Sequence, residues 1–289
     1  MPSGFPDAET LAVCERFSLW LRQGGGLPIR GRPMAGGLAA GLDFEGHREY
    51  RPGHDLRHLD WALYARLRSL YVRTFEDEGA GTLAVLLDAS ASMGQGRKLV
   101  LARRIAAALV FSGLRACHGV LLGVARDGKL EALPLTAGPA ALDHALQWLG
   151  RIEAGGRTDL GRSFAGVPGF FARGDAVLIS DFFDPHGPEG ALDGLHRAGW
   201  QADLIRVTHA EEWIAPPPGT GLGDPESGAV ATAPRDTDAL NAALAAWRVS
   251  TRAQSLRRGS VMVDVDADQP LAQALTQFFS TVLAVRTHV

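Results

Sequence analysis

The stretch Thr82-Leu-Ala-Val-Leu-Leu-Asp88-Ala-Ser90-Ala-Ser92-Met-Gly94 decides the fold. Leu83 to Leu87, with Thr82 before them, have the length and apolarity of a strand buried on both faces. The run ends at a carboxylate, Asp88. Two hydroxyls follow at two-residue steps, then Gly94 and Gly96, and a helical pattern opens after Arg97. A buried strand that ends this way sets hard oxygen donors at the carboxyl edge of a sheet. That edge is where open α/β sheets bind ligands.

In an Asp-x-Ser-x-Ser turn the alternate side chains can converge on one point. One carboxylate and two hydroxyls suit a small hard cation such as Mg²⁺, which takes about six oxygens at ~2.0–2.1 Å and usually keeps several waters. One turn cannot close that shell, so other loops are expected to contribute. Gly155-Gly-Arg-Thr158-Asp159 is a glycine turn carrying a hydroxyl just before a helix. Ala176-Val-Leu-Ile-Ser180-Asp181 is a second buried strand running into an aspartate.

The set Asp88, Ser90, Ser92, Thr158 and Asp181 resembles the metal-ion-dependent adhesion site of von Willebrand factor type A domains. The upstream block is more distinctive. Phe44-Glu-Gly-His47-Arg48-Glu-Tyr50-Arg-Pro52-Gly53-His-Asp55-Leu-Arg57-His58-Leu-Asp60-Trp61, with Ala65-Arg66 and Val72-Arg73-Thr-Phe75-Glu76 after it, resembles the bacterial family called domain of unknown function 58. In that family such a segment leads into a type A domain. The resemblance covers roughly residues 30 to 210. One departure is Arg157, which stands before the threonine where many type A domains pass straight from glycine to threonine.

The resemblance implies several properties. Ser90 and Ser92 would bind Mg²⁺ (or Mn²⁺) through their hydroxyls, Thr158 directly or through water, and Asp88 and Asp181 mostly through waters. The ion would keep one position open for a partner's acidic side chain. The chain would then be a metal-dependent protein–protein interaction module. It would serve as adaptor or cofactor of a MoxR-type AAA+ ATPase in assembly or maturation of a target complex.

Composition sets the outer bounds. The 289 residues allow one large α/β domain with additions, or two domains. A hydrophobic content of 46% and a charged content of 21% provide a sizeable core. The net charge of −3 gives no bulk electrostatic case for nucleic acid. The two cysteines, Cys14 and Cys117, have no ligand spacing, which favours a reducing compartment. The amino terminus lacks the pattern of a secretory signal, and no run approaches the ~18–20 apolar residues of a membrane span. The expectation is a cytoplasmic chain, compatible with peripheral docking to a membrane complex.

Periodicity organises the rest. Residues 7 to 23 read as an amphipathic helix stopped by Gly24-Gly-Gly26, and residues 27 to 44 as irregular. Leu70 to Phe75 reads as a strand near the sheet edge. Helices are expected at Lys98 to Leu114, Pro139 to Ile152, Leu160 to Phe171, Glu189 to Ala198, Asp236 to Arg258 and Pro270 to Val285. Strands are expected at Gly119 to Ala125, Leu130 to Leu135, Asp175 to Ser180, Gln201 to Val207 and Ser260 to Val265, with an Asp127-Gly128 hairpin turn. This alternation predicts a doubly wound, Rossmann-like, mostly parallel sheet of the type A kind with an antiparallel edge strand. Residues 1–78 form an N-terminal helix and Arg-rich segment packed on the main domain, 79–289. Residues 211–235 form a loop or hairpin insertion.

The same residues admit other readings. In the Arg-rich segment, Asp55, Arg57 and Asp60 read as internal ion pairs beside an inward Trp61. His47, His54 and His58 do not match a zinc spacing. The basic cluster Arg252, Arg257 and Arg258 reads as a solvated helix end. A scaffold that binds through residues 44 to 73, with a vestigial metal site, is one alternative. A phosphate-handling enzyme built on the Asp88 loop is another. Gly94-Gln-Gly96-Arg97-Lys98 at the helix start could hold a phosphate, but the chain lacks a second aspartate two residues on, a Gly-x-Ser-x-Gly elbow and a Walker glycine loop with Lys-Ser/Thr. The expectation is therefore a non-enzyme.

Overall fold

The computed structural model describes residues 5–22, 43–49, 71–76, 82–116, 119–136, 138–165, 174–184 and 186–287. The readings of Asp55, Arg57, Asp60, Trp61, His54, His58 and Cys117 lie outside these residues, as does the irregular segment 27 to 42. The side chain of His47 also lies outside them.

Helix α1 (Ala8–Arg22) opens the chain, and Asp7 caps it by accepting from the Thr10 amide at 2.9 Å. Strands β1 (Asp43–Glu49) and β2 (Tyr71–Glu76) follow and pair antiparallel, with the register shifting between Phe44 and Gly46. This corrects two expectations. The strand near residue 70 joins a separate two-stranded sheet, not the main one, and residues 43 and 44, read as irregular, begin its partner strand. Among the described residues, β2 has β1 as its ladder partner.

The main sheet holds six strands: β3 (Thr82–Asp88), β4 (Gly119–Arg126), β5 (Lys129–Thr136), β6 (Gly174–Ser180), β7 (Trp200–Thr208) and β10 (Met262–Asp266). Their order is β10-β7-β6-β3-β4-β5. All neighbours are parallel except β4–β5, the Asp127-Gly128 hairpin. Both hairpin residues have positive φ, as the two-residue turn requires.

Helices cover both faces, because β3 alternates its side chains between them. Leu83, Val85 and Leu87 join one core with Leu101, Ile105 and Leu109 of α2 (Lys98–Ala116). The same core takes Leu146 and Leu149 of α3 (Pro139–Gly150) and Leu271, Leu275 and Phe278 of α7 (Leu271–Thr287). Ala84 and Leu86 point the other way, to Leu160 and Phe164 of α4 (Leu160–Phe164) and Leu192 and Leu195 of α5 (Glu189–Arg197). Each fully buried leucine contributes ~1.5–3 kcal/mol. Val13 and Cys14 of α1 lie in the first core, so the N-terminal helix is part of the main body. The fold is the doubly wound, mostly parallel sheet expected.

Helix α6 (Thr237–Arg257) buries only Thr251 and Ser255. It is held through Arg206 of β7, which is fully buried and pairs with Asp264 of β10 and with Thr251 Oγ1 at 2.6 Å. Arg206 also stacks near Trp213 and Trp247. The expected solvated basic cluster is partly corrected. Arg252 pairs with Asp264 at 3.0 Å, and Arg258 with Asp193 and Glu189 at 2.8 and 3.0 Å. Tertiary carboxylates, not only the helix end, hold these arginines.

The chain leaves β3 toward β4 and later returns to β6 on β3's other side. The topological switch point therefore lies between the carboxyl ends of β3 and β6, where such sheets open a crevice. Asp88 ends β3, and Asp181 follows the last residue of β6.

Candidate metal centre

Asp88 is buried, and its carboxylate orients two loops at once. One oxygen accepts from the Ser90 amide at 2.9 Å, and the other from Ser180 Oγ at 2.6 Å. The first bond folds the chain back so that Ser90 and Ser92 face the same side. Their Oγ atoms lie 3.1 Å apart, and both residues are buried. Two ligands on adjacent corners of an octahedron with bonds of ~2.0–2.1 Å sit about 2.9 Å apart, so the serine spacing suits a shared small cation. A short 3-10 turn, Ala91–Gly94, fixes the loop before α2 begins.

The Gly155–Thr158 turn is fastened to this loop through backbone. Gly155 N donates to Ala89 O at 2.9 Å, and Ala91 N to Gly156 O at 3.0 Å. The turn is tied equally to the β4–β5 hairpin, where Asp127 Oδ1 accepts from Arg157 N at 2.7 Å and Asp127 N donates to Arg157 O at 3.0 Å. Arg157 is thus used through its main chain. Gly156 has φ +75°, and a Cβ there would come within 2.5 Å of the Asp127 carboxylate. Thr158 follows, and both its amide and its Oγ1 donate to the carboxylate of Glu226, the amide at 2.9 Å. Asp159 caps α4 through the Arg162 amide.

Asp181 is fully buried. One of its oxygens accepts from the Phe183 amide at 3.1 Å, and the other from Lys98 Nζ at 2.8 Å. The lysine is itself fully buried and also reaches Glu212 Oε1 at 2.7 Å. The intervening Phe182 has φ +57°, and its amide donates to Ser180 Oγ at 2.9 Å. Ser180 therefore links the two aspartate loops. Burial, reinforced by the charge of Asp181, pushes the Asp88 carboxyl up to about 7 against the pull of its hydroxyl and amide donors. Asp181 has an ammonium partner, while the bonds recorded to Asp88 come from hydroxyl and amide groups. The donors are hard oxygens at a switch point, the serine spacing suits octahedral corners, and the Thr158 hydroxyl proton points to Glu226, leaving its lone pairs. This donor chemistry fits a small divalent cation.

The model of the family described as protein of unknown function DUF58 matches residues 46–254. The chain belongs to this family. The match runs from the Arg-rich block through most of α6, further toward the C-terminus than the resemblance read from the residues. No curated protein matches. Among solved structures, a von Willebrand factor type A protein from Catenulispora acidiphila is 19% identical, over 48% of this chain and 35% of that one, with a TM-score of 0.34. The VWA domain of SpRpn10 is 10% identical over 68% of this chain and 95% of that one, at 0.42. The pilus adhesin SpaC from Lactobacillus rhamnosus GG is 12% identical over 72% and 30%, at 0.41. The strand order itself carries the fold assignment of this DUF58 protein.

Four residues at the site of this DUF58 protein were not singled out from the sequence: Ser180, Lys98, Glu212 and Glu226. Ser180 lies between the apolar run Ala176 to Ile179 and Asp181, and that position is a usable signal. Lys98 reads as the first residue of a helix, and Glu212 and Glu226 as loop acids. Among the described residues, no helix is long and apolar enough to cross a membrane.

Proposed function

We propose that this chain is a metal-dependent protein-recognition module, with Asp88, Ser90, Ser92, Thr158 and Asp181 as its ion site. The observation that supports this most is the serine pair. Ser90 and Ser92 hold their hydroxyls 3.1 Å apart, oriented by Asp88, in a loop tied by two backbone bonds to the turn carrying Thr158. Ser90 and Ser92 would hold Mg²⁺ or Mn²⁺ through their hydroxyls, and Thr158 directly or through water. Asp88 and Asp181 would position its waters. The bound ion would supply an electrophilic position for a partner's acidic side chain, because few charged groups touch it directly. The chain's own residues orient the hydroxyls, bury the carboxylates and fix the loops. In this reading no residue acts as a nucleophile or as an acid or base toward a substrate, and the protein is not an enzyme.

The family resemblance extends the proposal to a cytoplasmic adaptor of a MoxR-type AAA+ ATPase, acting in assembly or maturation of a target complex. Calorimetric titration with Mn²⁺ tests the ion site: the wild type binds one ion, and Ser90→Ala abolishes binding. Capture of partners from native extract with and without chelator tests the rest. An ATPase of the expected type is retained with Mg²⁺ and lost with chelator. Unchanged Mn²⁺ binding by Ser90→Ala overturns the site, and capture indifferent to chelator overturns metal dependence.

A further inference from the structure

Between β7 and α6 the chain makes an excursion: a 3-10 turn, Ala210–Trp213, then a small hairpin of β8 (Gly221–Gly223) and β9 (Val230–Thr232). From Pro217 to Thr232 every residue is exposed except Glu226. That residue sits at the hairpin tip, and its carboxylate accepts from both the amide and the hydroxyl of Thr158, a candidate ion ligand 68 residues away. A two-stranded hairpin of this size is marginal by itself, yet its tip is organised in detail. The Glu226 amide donates to Asp224 Oδ1 at 2.9 Å, and Ser227 Oγ donates to the other Asp224 oxygen. Asp224 N donates to Ala229 O at 2.8 Å, Gly228 N to Asp224 O at 2.9 Å, and Gly228 takes φ +70°. These bonds present one acidic side chain on a tight turn, aimed at the ion-site threonine.

We infer that Glu226 is an acidic ligand supplied by the chain itself, which takes the place at the site that a partner's carboxylate would otherwise occupy. This rests on the ion-site reading above and adds its regulation. The tether makes Glu226 a ligand at high effective concentration, so an external carboxylate must displace it. The tip then also describes the partner's recognition element: an Asp or Glu on an exposed tight turn. The hairpin's exposure lets it swing away without uncovering core: the bonds to Thr158 are exchanged for equivalent ones, and the attraction between Asp224 of the tip and Arg157 is given up.

The test uses the full chain as wild type, Glu226→Gln and Ser90→Ala, with Mn²⁺ as the ion and acetate as the carboxylate probe. Water-proton relaxation reports the exchangeable waters on bound Mn²⁺, and amide exchange reports the Thr158 N–H. In Glu226→Gln the relaxation enhancement rises by the contribution of one extra water, and excess acetate lowers it again. The wild type responds to acetate weakly or not at all. Exchange at the Thr158 amide accelerates about tenfold in Glu226→Gln, as the charge-assisted bond gives way to at most a neutral one. Binding of Mn²⁺ to Glu226→Gln but not to the wild type overturns the inference, since a carboxylate that coordinates the ion cannot exclude it. Equal enhancement and equal acetate response in the two proteins overturn it while leaving the ion site intact, provided Ser90→Ala loses Mn²⁺. Mn²⁺ binding by neither protein, or binding unaffected by Ser90→Ala, overturns the ion-site reading and this inference with it.

Discussion

Lys98 and Asp181 form an ion pair from which water is excluded: Nζ lies 2.8 Å from Oδ2, and neither side chain has exposed surface. Helix α2 begins at this lysine, so the pair pins the helix following the serine loop to the loop following β6. Glu212 accepts from the same ammonium and adds the turn before the hairpin to the junction. Three loops that converge at the switch point thus share one cation.

Removal of the lysine alone leaves Asp181 buried without its counter-charge. Lys98→Met is expected to destabilise the protein by about 3–5 kcal/mol, the usual cost of breaking one side of a buried pair. The double variant Lys98→Met with Asp181→Asn should recover a substantial part of that loss. Urea unfolding of the four proteins in the cycle measures it, and strict additivity would show that the pair is not coupled.

Gly156 supplies a backbone conformation that other residues adopt at a cost of ~1–2 kcal/mol. A methyl group there would also collide with the Asp127 carboxylate. Gly156→Ala should lower stability by about 1–2 kcal/mol and, by displacing Thr158, weaken Mn²⁺ binding. Thermal unfolding and calorimetric titration read the two effects separately. Gly155, where an added Cβ meets nothing within 4 Å, is the control: Gly155→Ala should change both far less.

Arg206 uses the fork of its guanidinium, donating to Asp264 through Nε at 2.7 Å and to Thr251 through a second nitrogen. Lysine offers one point charge and no planar stack. Arg206→Lys should therefore cost about 1.5–3 kcal/mol, the range for bonds to charged groups. It should also shift the emission of Trp213 and Trp247, whose rings lie 5.9 Å apart beside it. Stability and tryptophan fluorescence unchanged from wild type would show that α6 is held by something else.

Cys14 is buried and free, and burial pushes its thiol up to about 11. A group that stays protonated in the fold and titrates lower when unfolded resists alkylation in the native state. In a Cys117→Ser variant, so that only this thiol reports, labelling by a maleimide at pH 8 should be slow in buffer and fast in denaturant. Fast native labelling would mean that α1 detaches readily from the core.

What the sequence determined by itself was whatever is written in local spacing. The apolar run Leu83 to Leu87 ending at Asp88 could only be a buried strand with its acid at the carboxyl edge. The three- and four-residue steps of α2, α3 and α7 and the Asp127-Gly128 turn were legible for the same reason, since period and turn chemistry act within a few residues. The Asp88, Ser90 and Ser92 grouping belongs here too, because one turn brings alternate side chains to one side. Tertiary structure alone decided the contacts that span the chain. Lys98 meets Asp181 across 83 residues, Ser180 meets Asp88 across 92, and Thr158 meets Glu226 across 68. It also decided that β2 pairs with β1 outside the main sheet. No periodicity encodes such partners: each charge is one of many of its kind in the sequence, and packing of the sheet and its loops selects which two are buried side by side.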